Sequence, residues 1–349
     1  MNRQPVILID KEVPFLEGVF DNRAVVRLMK GAEITATDIC DADALIIRTR
    51  TECVPRTLEG SRVSFIGSAT IGTDHIDTGY CTSRGIEVAN APGCNAGAVM
   101  QYVFTALAGW SGKKGRSLSG MTMGIIGVGN VGRRVAELAR MLGFRVLLND
   151  PPRAAAEGPH DFSDLPQVLS LSDIVTLHVP LTADTFAMAG DSFFRKMKDG
   201  ACFVNTSRGA VVNEEALRKH APRLGGVILD VWDNEPDIDE RTLGVTDIAT
   251  PHIAGYSLEG KRNASQTVVR AMAHHFRWED LYDFSIKLPV PDFVPEHLLF
   301  KDCFPIFVED SKLRSSPNQF ESWRSGYTFR REWTREQFNQ LPQCLLHKI

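Results

Sequence analysis

The chain has 349 residues, 43% hydrophobic and 23% charged, which is typical of a soluble globular protein of two or three domains. Its net charge of −4 provides no overall basic field, which argues against a nucleic acid as partner. The apolar run at residues 6–9 is too short for a signal peptide, and no stretch approaches the ~20 apolar residues of a membrane span. The seven cysteines include no CxxC pair, so we expect reduced thiols, a cytoplasmic protein and no metal site.

Apolar runs alternate with amphipathic stretches from the N-terminus to about residue 285, a pattern that predicts α/β structure with parallel sheets buried on both faces. The first series of predicted strands comprises residues 6–9, 44–47, 63–66 and 86–89. This part of the chain is too short to supply helices for both faces of its sheet. We therefore expect the helix predicted over 258–278 to return and complete it.

A long apolar helix is predicted over 95–110, and a second series of strands follows it. These strands are predicted at residues 121–127, 145–149, 173–179, 201–205, 226–231 and 247–250. The fold expected is two doubly wound parallel-sheet domains of the Rossmann or flavodoxin-like type. Residues 1–93 and 255–285 are expected to form one domain, residues 94–254 the second, and the proline-rich and aromatic residues 286–349 a small C-terminal domain.

The segment GVGNVG, residues 127–132, follows a predicted strand and opens a predicted helix. In this context Gly127 makes a tight turn, Gly129 lets the backbone approach a pyrophosphate, and Gly132 packs the helix on the strand. Asp150 ends the next strand, where a carboxylate binds the ribose hydroxyls of the adenosine. Dinucleotide binding is therefore predicted, with NAD favoured over NADP, although Arg153 leaves NADP open.

Three later strands each end in a residue that can act in catalysis. Arg208 can bind a carboxylate with two parallel hydrogen bonds, Asp230 is expected near the nicotinamide, and His252 can exchange a proton with a hydroxyl. Glu235 is the candidate to hold the imidazole. Each has a simpler explanation as a loop residue or a core histidine, but together they suffice for oxidation of a 2-hydroxy acid. His178 is the main alternative histidine, although it has no carboxylate in a suitable place.

The segments LSDIVTLHVPL, MKDGACFVNTSRGAVVN and DVWxxEP followed by PHIAG resemble the D-isomer-specific 2-hydroxyacid dehydrogenases over residues 1–280. The segments GSATIGTDHID, APGCNAGAVMQYVF and HIAGYSLEGK are similar to the members that act on 4-phospho-D-erythronate. The resemblance implies oxidation of that acid with NAD, on the route to pyridoxal phosphate, by a homodimer whose C-terminal domain is the dimerisation domain. It also implies a substrate (lid) domain for the first sheet and an NAD-binding domain for the second.

The resemblance further implies roles for individual residues. It assigns catalysis to Arg208, Glu235 and His252, with the histidine as proton donor. It assigns substrate binding to Thr49, Thr70 and Tyr256. Cofactor binding falls to the glycine loop with Asn130 and Val131, and to Asp150, Val179, Thr206, Ser207, Asp230 and Gly255.

A substrate phosphate would need a second cationic or hydroxyl cluster. The basic residues near the predicted substrate positions are Arg48, Arg50 and Lys261, and we expect Arg330 and Arg331 to add charge across a dimer interface. Two alternatives remain open from the sequence. One is another enzyme of the class, a 3-phosphoglycerate dehydrogenase or hydroxypyruvate reductase; the other is an NAD-sensing corepressor, which would not require Arg208, Glu235 and His252 together.

Overall fold

The structure is a computed structural model that describes residues 3–289 and 304–333. Its strands are β1 Val6–Asp10, β2 Val25–Met29, β3 Ala44–Ile47, β4 Phe65–Ser68, β5 Glu87–Ala89, β6 Thr122–Ile126, β7 Arg145–Asn149, β8 Ile174–Leu177, β9 Cys202–Asn205, β10 Gly226–Leu229 and β11 Ile248–Ala249. The α-helices in the described residues are α1 Ala36–Ile39, α2 Pro55–Leu58, α3 Thr78–Ser83, α4 Ala96–Lys114, α5 Asn130–Met141, α6 Pro151–Glu157, α7 Leu165–Leu171, α8 Asp191–Lys196, α9 Glu214–His220, α10 Glu240–Val245, α11 Leu258–Phe276, α12 Ile306–Ser315 and α13 Phe320–Ser325.

The chain divides into two compact units, and the first takes its described residues from Met1–Asn95 and Ser257–Asp292. Its sheet has five parallel strands in the order β2-β1-β3-β4-β5. The central strands are buried on both faces: Ile7 and Ile9 pack on the side of α11, and Leu8 packs on the side of α1 to α3. Val268 and Met272 of α11 are fully buried there, so this helix completes the first sheet as predicted.

The second unit takes its described residues from Ala96–Tyr256 and from the part of the chain after residue 293. Its six parallel strands have the order β11-β10-β9-β8-β6-β7. Side chains alternate between two cores, because successive residues of a strand point to opposite faces. In β9, for example, Cys202 and Val204 face α4 and α5, and Phe203 faces α8. The predicted class of two doubly wound parallel-sheet units is therefore confirmed.

The order in which strands are added to the second sheet reverses at β6. Strand β7 lies on one side of β6, and β8, the next strand in sequence, lies on the other side. In open parallel sheets, ligands bind at the carboxyl ends of the strands beside such a reversal. The glycine loop follows β6 at this point. The fold thus places the predicted dinucleotide loop where this topology favours ligand binding.

Strand β2 was not predicted, and the reason is its position at the edge of the first sheet. Three of its apolar residues, Val25, Val26 and Leu28, are 37–63% exposed, so the sequence lacks the continuous apolar run that marks a buried strand. Strand β2 is held by its backbone hydrogen bonds to β1.

The predicted C-terminal domain, residues 286–349, lies partly outside the described residues. The described segment 304–333 packs on the second unit, where Phe304 and Ile306 join the core under α4 and Leu313 joins the core on the opposite face. None of the helices that the structure describes is long and apolar enough to cross a membrane. Five cysteines in the described part, Cys40, Cys53, Cys81, Cys94 and Cys202, are free thiols.

Candidate active site

The glycine loop connects β6 with α5. Gly127 has a φ of +83°, a conformation that favours glycine, and a Cβ there would lie 2.6 Å from the His178 carbonyl oxygen. A Cβ on Gly132 would lie 2.0 Å from the Gly127 carbonyl oxygen, so only glycine lets α5 start this close to the strand. A Cβ on Gly129 would meet nothing within 4 Å. The loop is therefore closed by its outer glycines and open at the middle one, which fits a pyrophosphate at the helix N-terminus.

Asp150 follows β7 and lies beside this loop. Its carboxylate accepts the backbone N–H of Val128 at 2.7 Å and that of Arg153 at 3.1 Å. The Arg153 side chain is engaged elsewhere, with two 2.6 Å contacts to Glu157 and one of 2.7 Å to the Val128 carbonyl. The Asp150 carboxylate can accept hydrogen bonds from the ribose hydroxyls of NAD and would repel the 2′-phosphate of NADP. The Arg153 guanidinium, which could otherwise bind that phosphate, is already paired with Glu157.

The turn after β9 carries Arg208, and the buried side chain of Asn205 organises it. The Asn205 Oδ1 accepts hydrogen bonds from the backbone N–H and the hydroxyl of Ser207, at 3.0 and 2.7 Å. Its Nδ2 donates to the Arg208 carbonyl at 2.9 Å. The half-buried Arg208 also donates from Nη1 to the Ser207 carbonyl at 2.8 Å. This network holds the backbone of Arg208 at the carboxyl end of its strand.

Asp230 follows β10 and is 1% exposed. Its carboxylate accepts hydrogen bonds from the Thr250 hydroxyl at 2.6 Å and from the backbone N–H groups of Ile253 and Ala254 at 2.8 and 2.9 Å. Burial raises the pKa of Asp230, against the lowering effects of His252 and of these donors. The observed contacts thus go to the loop around His252, and a contact with the cofactor stays a prediction.

His252 and Glu235 form the central pair of the candidate site. The His252 Nδ1 lies 2.7 Å from the Glu235 Oε2, and the other oxygen of Glu235 accepts the Trp232 backbone N–H at 2.9 Å. Burial alone would raise the pKa of Glu235, but the charge and hydrogen bond of His252, the Trp232 N–H and the Arg324 guanidinium together hold that pKa below its ordinary value. An ionised Glu235 can accept the Nδ1 proton, which leaves Nε2 to exchange a proton with a ligand.

The backbone at His252 is in the left-handed region, with a φ of +57°. Such a conformation is uncommon for a residue other than glycine and is kept only where the surroundings enforce it. Here the His252 N–H donates to the Asp230 carbonyl at 2.8 Å, and the Asp230 carboxylate holds the next two residues. The loop thus fixes the histidine close to its glutamate.

His178 does not have the environment of an acid–base group. Burial lowers its pKa to about 3, so it is neutral at physiological pH. Its ring nitrogens lie 3.0 Å from the Thr176 hydroxyl and 3.4 Å from the Thr206 hydroxyl, and neither contact is with a carboxylate. His178 contacts the threonines at the ends of β8 and β9.

Two arginines of the C-terminal segment touch the loop that carries His252 and Tyr256. Arg330 is 8% exposed and donates to the carbonyls of Ile253 at 3.0 Å and of Tyr256 at 3.1 Å, as well as to Ala254. The expectation that Arg330 adds charge across a dimer interface is wrong, because its guanidinium is buried within its own unit. Arg324 donates from Nε to the Tyr256 hydroxyl at 3.1 Å.

Two predicted substrate residues lie in the first unit, after neighbouring strands of its sheet. Thr49 is exposed and follows β3, and Thr70 follows β4 with its hydroxyl 2.7 Å from the Ser68 hydroxyl. Arg48, considered as a phosphate-binding cation, donates from Nε to the fully buried Asp10 at 2.7 Å and pairs with Glu12. Two carboxylates already balance its charge, which makes it a poor candidate for binding phosphate.

The remaining predicted cofactor residues lie on the second unit. Asn130 and Val131 open α5, Val179 follows β8, Thr206 and Ser207 follow β9, and Gly255 lies in the loop after His252. Their contacts with a cofactor stay predictions. Three residues that hold these loops were not predicted from the sequence: Asn205, Thr250 and Arg324. The sequence offered one signal for such a role: Asn205 is a polar residue at the last position of a buried strand. Within the described residues, no cluster of histidine, cysteine and acidic side chains could hold a metal ion.

Comparison with known proteins identifies close relatives. Residues 100–254 match the family model of the D-isomer specific 2-hydroxyacid dehydrogenase, NAD binding domain. The chain is 41% identical to the erythronate-4-phosphate dehydrogenase of Bacteroides fragilis, over 93% of this chain and 97% of the relative. It is 37% identical to the corresponding enzyme of Escherichia fergusonii, over 94% and 92%. Among solved structures, the NAD⁺-bound 3-phosphoglycerate dehydrogenase of Entamoeba histolytica matches with a TM-score of 0.67 and 25% identity, over 82% of this chain and all of that one.

Proposed function

The chain belongs to the D-isomer-specific 2-hydroxyacid dehydrogenase family and is an NAD-dependent oxidoreductase; we propose that it oxidises 4-phospho-D-erythronate to 3-hydroxy-2-oxo-4-phosphobutanoate in the synthesis of pyridoxal phosphate. The proposal for the substrate follows the two relatives, each of which aligns with 93–94% of this chain. Because the chain is an enzyme of this family, a corepressor function is set aside.

One observation carries the chemistry. Arg208, the Glu235–His252 pair and Asp230 follow β9, β10 and β11, which are adjacent in the sheet that also bears the glycine loop. Parallel strands bring their carboxyl ends to one edge, so a cation, a proton acceptor and a dinucleotide loop share that edge. A site that only binds NAD has no use for the proton acceptor.

In the proposed reaction, Arg208 binds the substrate carboxylate and polarises C2, since its two-pronged guanidinium matches a carboxylate. The His252 Nε2 takes the proton of the C2 hydroxyl as the C2–O bond becomes a carbonyl. Glu235 keeps the imidazole in the required tautomer and stabilises the charge that it gains. When bound, NAD supplies the acceptor for the hydride that leaves C2.

Further parts of the proposal concern binding and assembly. Thr49, Thr70 and Tyr256 contribute hydroxyls to the substrate, and residues 1–93 with 255–285 form its lid domain. The protein works in the cytoplasm as a homodimer assembled through residues 286–349. The glycine loop with Asp150, Val179, Thr206, Ser207, Asp230 and Gly255 holds NAD.

The direct test is turnover. Purified protein is assayed for NADH formation with 4-phosphoerythronate, 3-phosphoglycerate and D-lactate, and each is repeated with NADP. We expect kcat/KM to be highest for 4-phosphoerythronate with NAD. A higher value for 3-phosphoglycerate would replace the proposed substrate, and equal use of NADP would overturn the role of Asp150.

The His252→Ala variant tests the chemistry. Loss of a general acid–base group costs ~10²–10⁴ in rate, so we expect a fall of that size in kcat, with NADH binding retained in a fluorescence titration. A variant that keeps more than about a tenth of the wild-type kcat would argue against His252 as the acid–base group.

A further inference from the structure

Arg324 is a cation beside the candidate site that the sequence motifs do not reveal. It lies on α13, its side chain is 16% exposed, and its Nε donates to the Tyr256 hydroxyl at 3.1 Å. Its Nη1 lies 4.0 Å from the Glu235 Oε2, the same oxygen that holds His252. The guanidinium thus lies beside the glutamate that holds the proposed proton acceptor, and beside a proposed substrate residue.

The charge of Arg324 is loosely balanced. Among the described residues, its nearest carboxylates are those of Glu321 and Glu235, at 3.9 and 4.0 Å, which is beyond hydrogen-bonding distance. A guanidinium has five N–H donors, and among the described residues only the Nε–H of Arg324 makes a hydrogen bond. Its two terminal nitrogens can therefore donate to a ligand.

Other arginines of the same segment differ in this respect. Arg314 on α12 contacts both oxygens of Asp310 at 2.9–3.0 Å and donates to the carbonyls of Leu243 and Thr246 at 3.0 and 2.6 Å. Arg330 donates to backbone carbonyls, as described above. Both guanidinium groups hold the fold, whereas the terminal nitrogens of Arg324 make no hydrogen bond to the part of the chain that the structure describes.

We propose that Arg324 and the Tyr256 hydroxyl together bind the phosphate group of the substrate, which makes Arg324 a specificity-determining residue. This inference rests on the function proposed above. The paired terminal nitrogens of an arginine match two oxygens of a phosphate, whose charge of about −2 the guanidinium would partly neutralise. The Tyr256 oxygen accepts the Arg324 Nε–H, and a phenol hydroxyl is a type of group that donates to phosphate oxygens.

The experiment compares 4-phosphoerythronate with erythronate, which lacks the phosphate, in the variants Arg324→Gln, Arg324→Lys and Tyr256→Phe. A hydrogen bond to a charged group is worth roughly 1.5–3 kcal/mol, so Arg324→Gln should lower the preference for the phosphorylated acid, as a ratio of kcat/KM values, by about 10–150-fold. The loss should lie mainly in KM. Arg324→Lys should recover only part of it, because a point charge replaces a two-pronged donor. Tyr256→Phe should lower the same ratio.

Arg314→Gln is the matched control, since it removes a cation from the neighbouring helix that has no contact with the site. It should lower the melting temperature and leave the substrate preference unchanged. Equal fold losses on both acids in Arg324→Gln would overturn the proposal and show that Arg324 acts through Glu235 and His252. An unchanged preference in both Arg324 variants would also overturn it. The melting temperature of each variant shows whether it is folded, and Arg324→Lys keeps the test available if Arg324→Gln is not.

Binding of inorganic phosphate separates this inference from the proposed function. If the wild type does not oxidise 4-phosphoerythronate, the proposed substrate is wrong whatever Arg324 does. Calorimetric titration of the NADH-bound protein with inorganic phosphate then tests the anion site directly. We expect at least tenfold weaker binding in Arg324→Gln than in the wild type, and equal affinities would overturn the assignment.

Discussion

The Glu235→Gln substitution probes the pair at the centre of the site, because glutamine has the shape of glutamate without its charge. In the wild type, Oε1 accepts the Trp232 N–H at 2.9 Å and Oε2 lies 2.7 Å from His252 Nδ1. An amide has one oxygen to serve two donors. If that oxygen stays on Trp232, the amide NH₂ faces Nδ1 and forces the tautomer whose Nε2 already carries a proton. If it turns to His252, the NH₂ opposes the Trp232 N–H.

Either arrangement removes a charge-assisted hydrogen bond worth roughly 1.5–3 kcal/mol, which corresponds to a fall of about 10–150-fold in kcat. The loss should appear in kcat because the imidazole gains its charge during the reaction, and NADH binding should be unchanged. The assay is steady-state NADH formation at saturating NAD and substrate.

Glu214→Gln is the control for structural damage. Glu214 is another half-buried carboxylate with two donors, the Asp233 backbone N–H at 3.0 Å and the Thr242 hydroxyl at 2.6 Å, and it holds the same loop without touching His252. This variant should lose stability and keep its kcat. A kcat within threefold of the wild type in Glu235→Gln, or equal losses in both variants, would refute the reasoning.

Two further predictions concern Arg208 and His178. Arg208→Lys should lower kcat/KM by about tenfold or more, since a point charge replaces a charge-assisted, two-pronged contact, and unchanged kinetics would place Arg208 outside the substrate site. His178→Gln should reduce acid sensitivity. In the wild type the unfolded chain binds a proton at His178 below a pH of about 6.5, whereas the folded chain stays neutral there down to about 3. This group alone should therefore cost about 1.4 kcal/mol of unfolding free energy per pH unit as the pH falls between those limits. Urea unfolding between pH 7 and 4 measures the slope, which should be shallower in the variant, and an equal slope would contradict the prediction.

The sequence alone determined the architecture and the edge at which the chemistry lies. Strand β3 was predicted at its observed bounds, because a strand buried on both faces must be a continuous apolar run. The glycine loop was equally readable, since its spacing follows from local backbone and steric requirements. Arg208, Asp230 and His252 could be assigned to one edge because parallel strands all end at the same edge. These features depend on residues close together in the sequence.

The tertiary structure decided which side chains meet at that edge. Several acids follow β10. The Glu235 carboxylate contacts the His252 ring, while the Asp230 carboxylate turns into the core and holds the histidine loop. The contact of Arg324 with Tyr256 joins residues 68 positions apart, and the burial of Arg330 depends on a segment without sequence periodicity. Such contacts are set by how loops and a terminal segment pack, and no local pattern encodes a distance between residues far apart in the chain. The same physics explains β2, whose exposed edge position gave no apolar signal and whose hydrogen bonds to β1 formed only in the folded sheet.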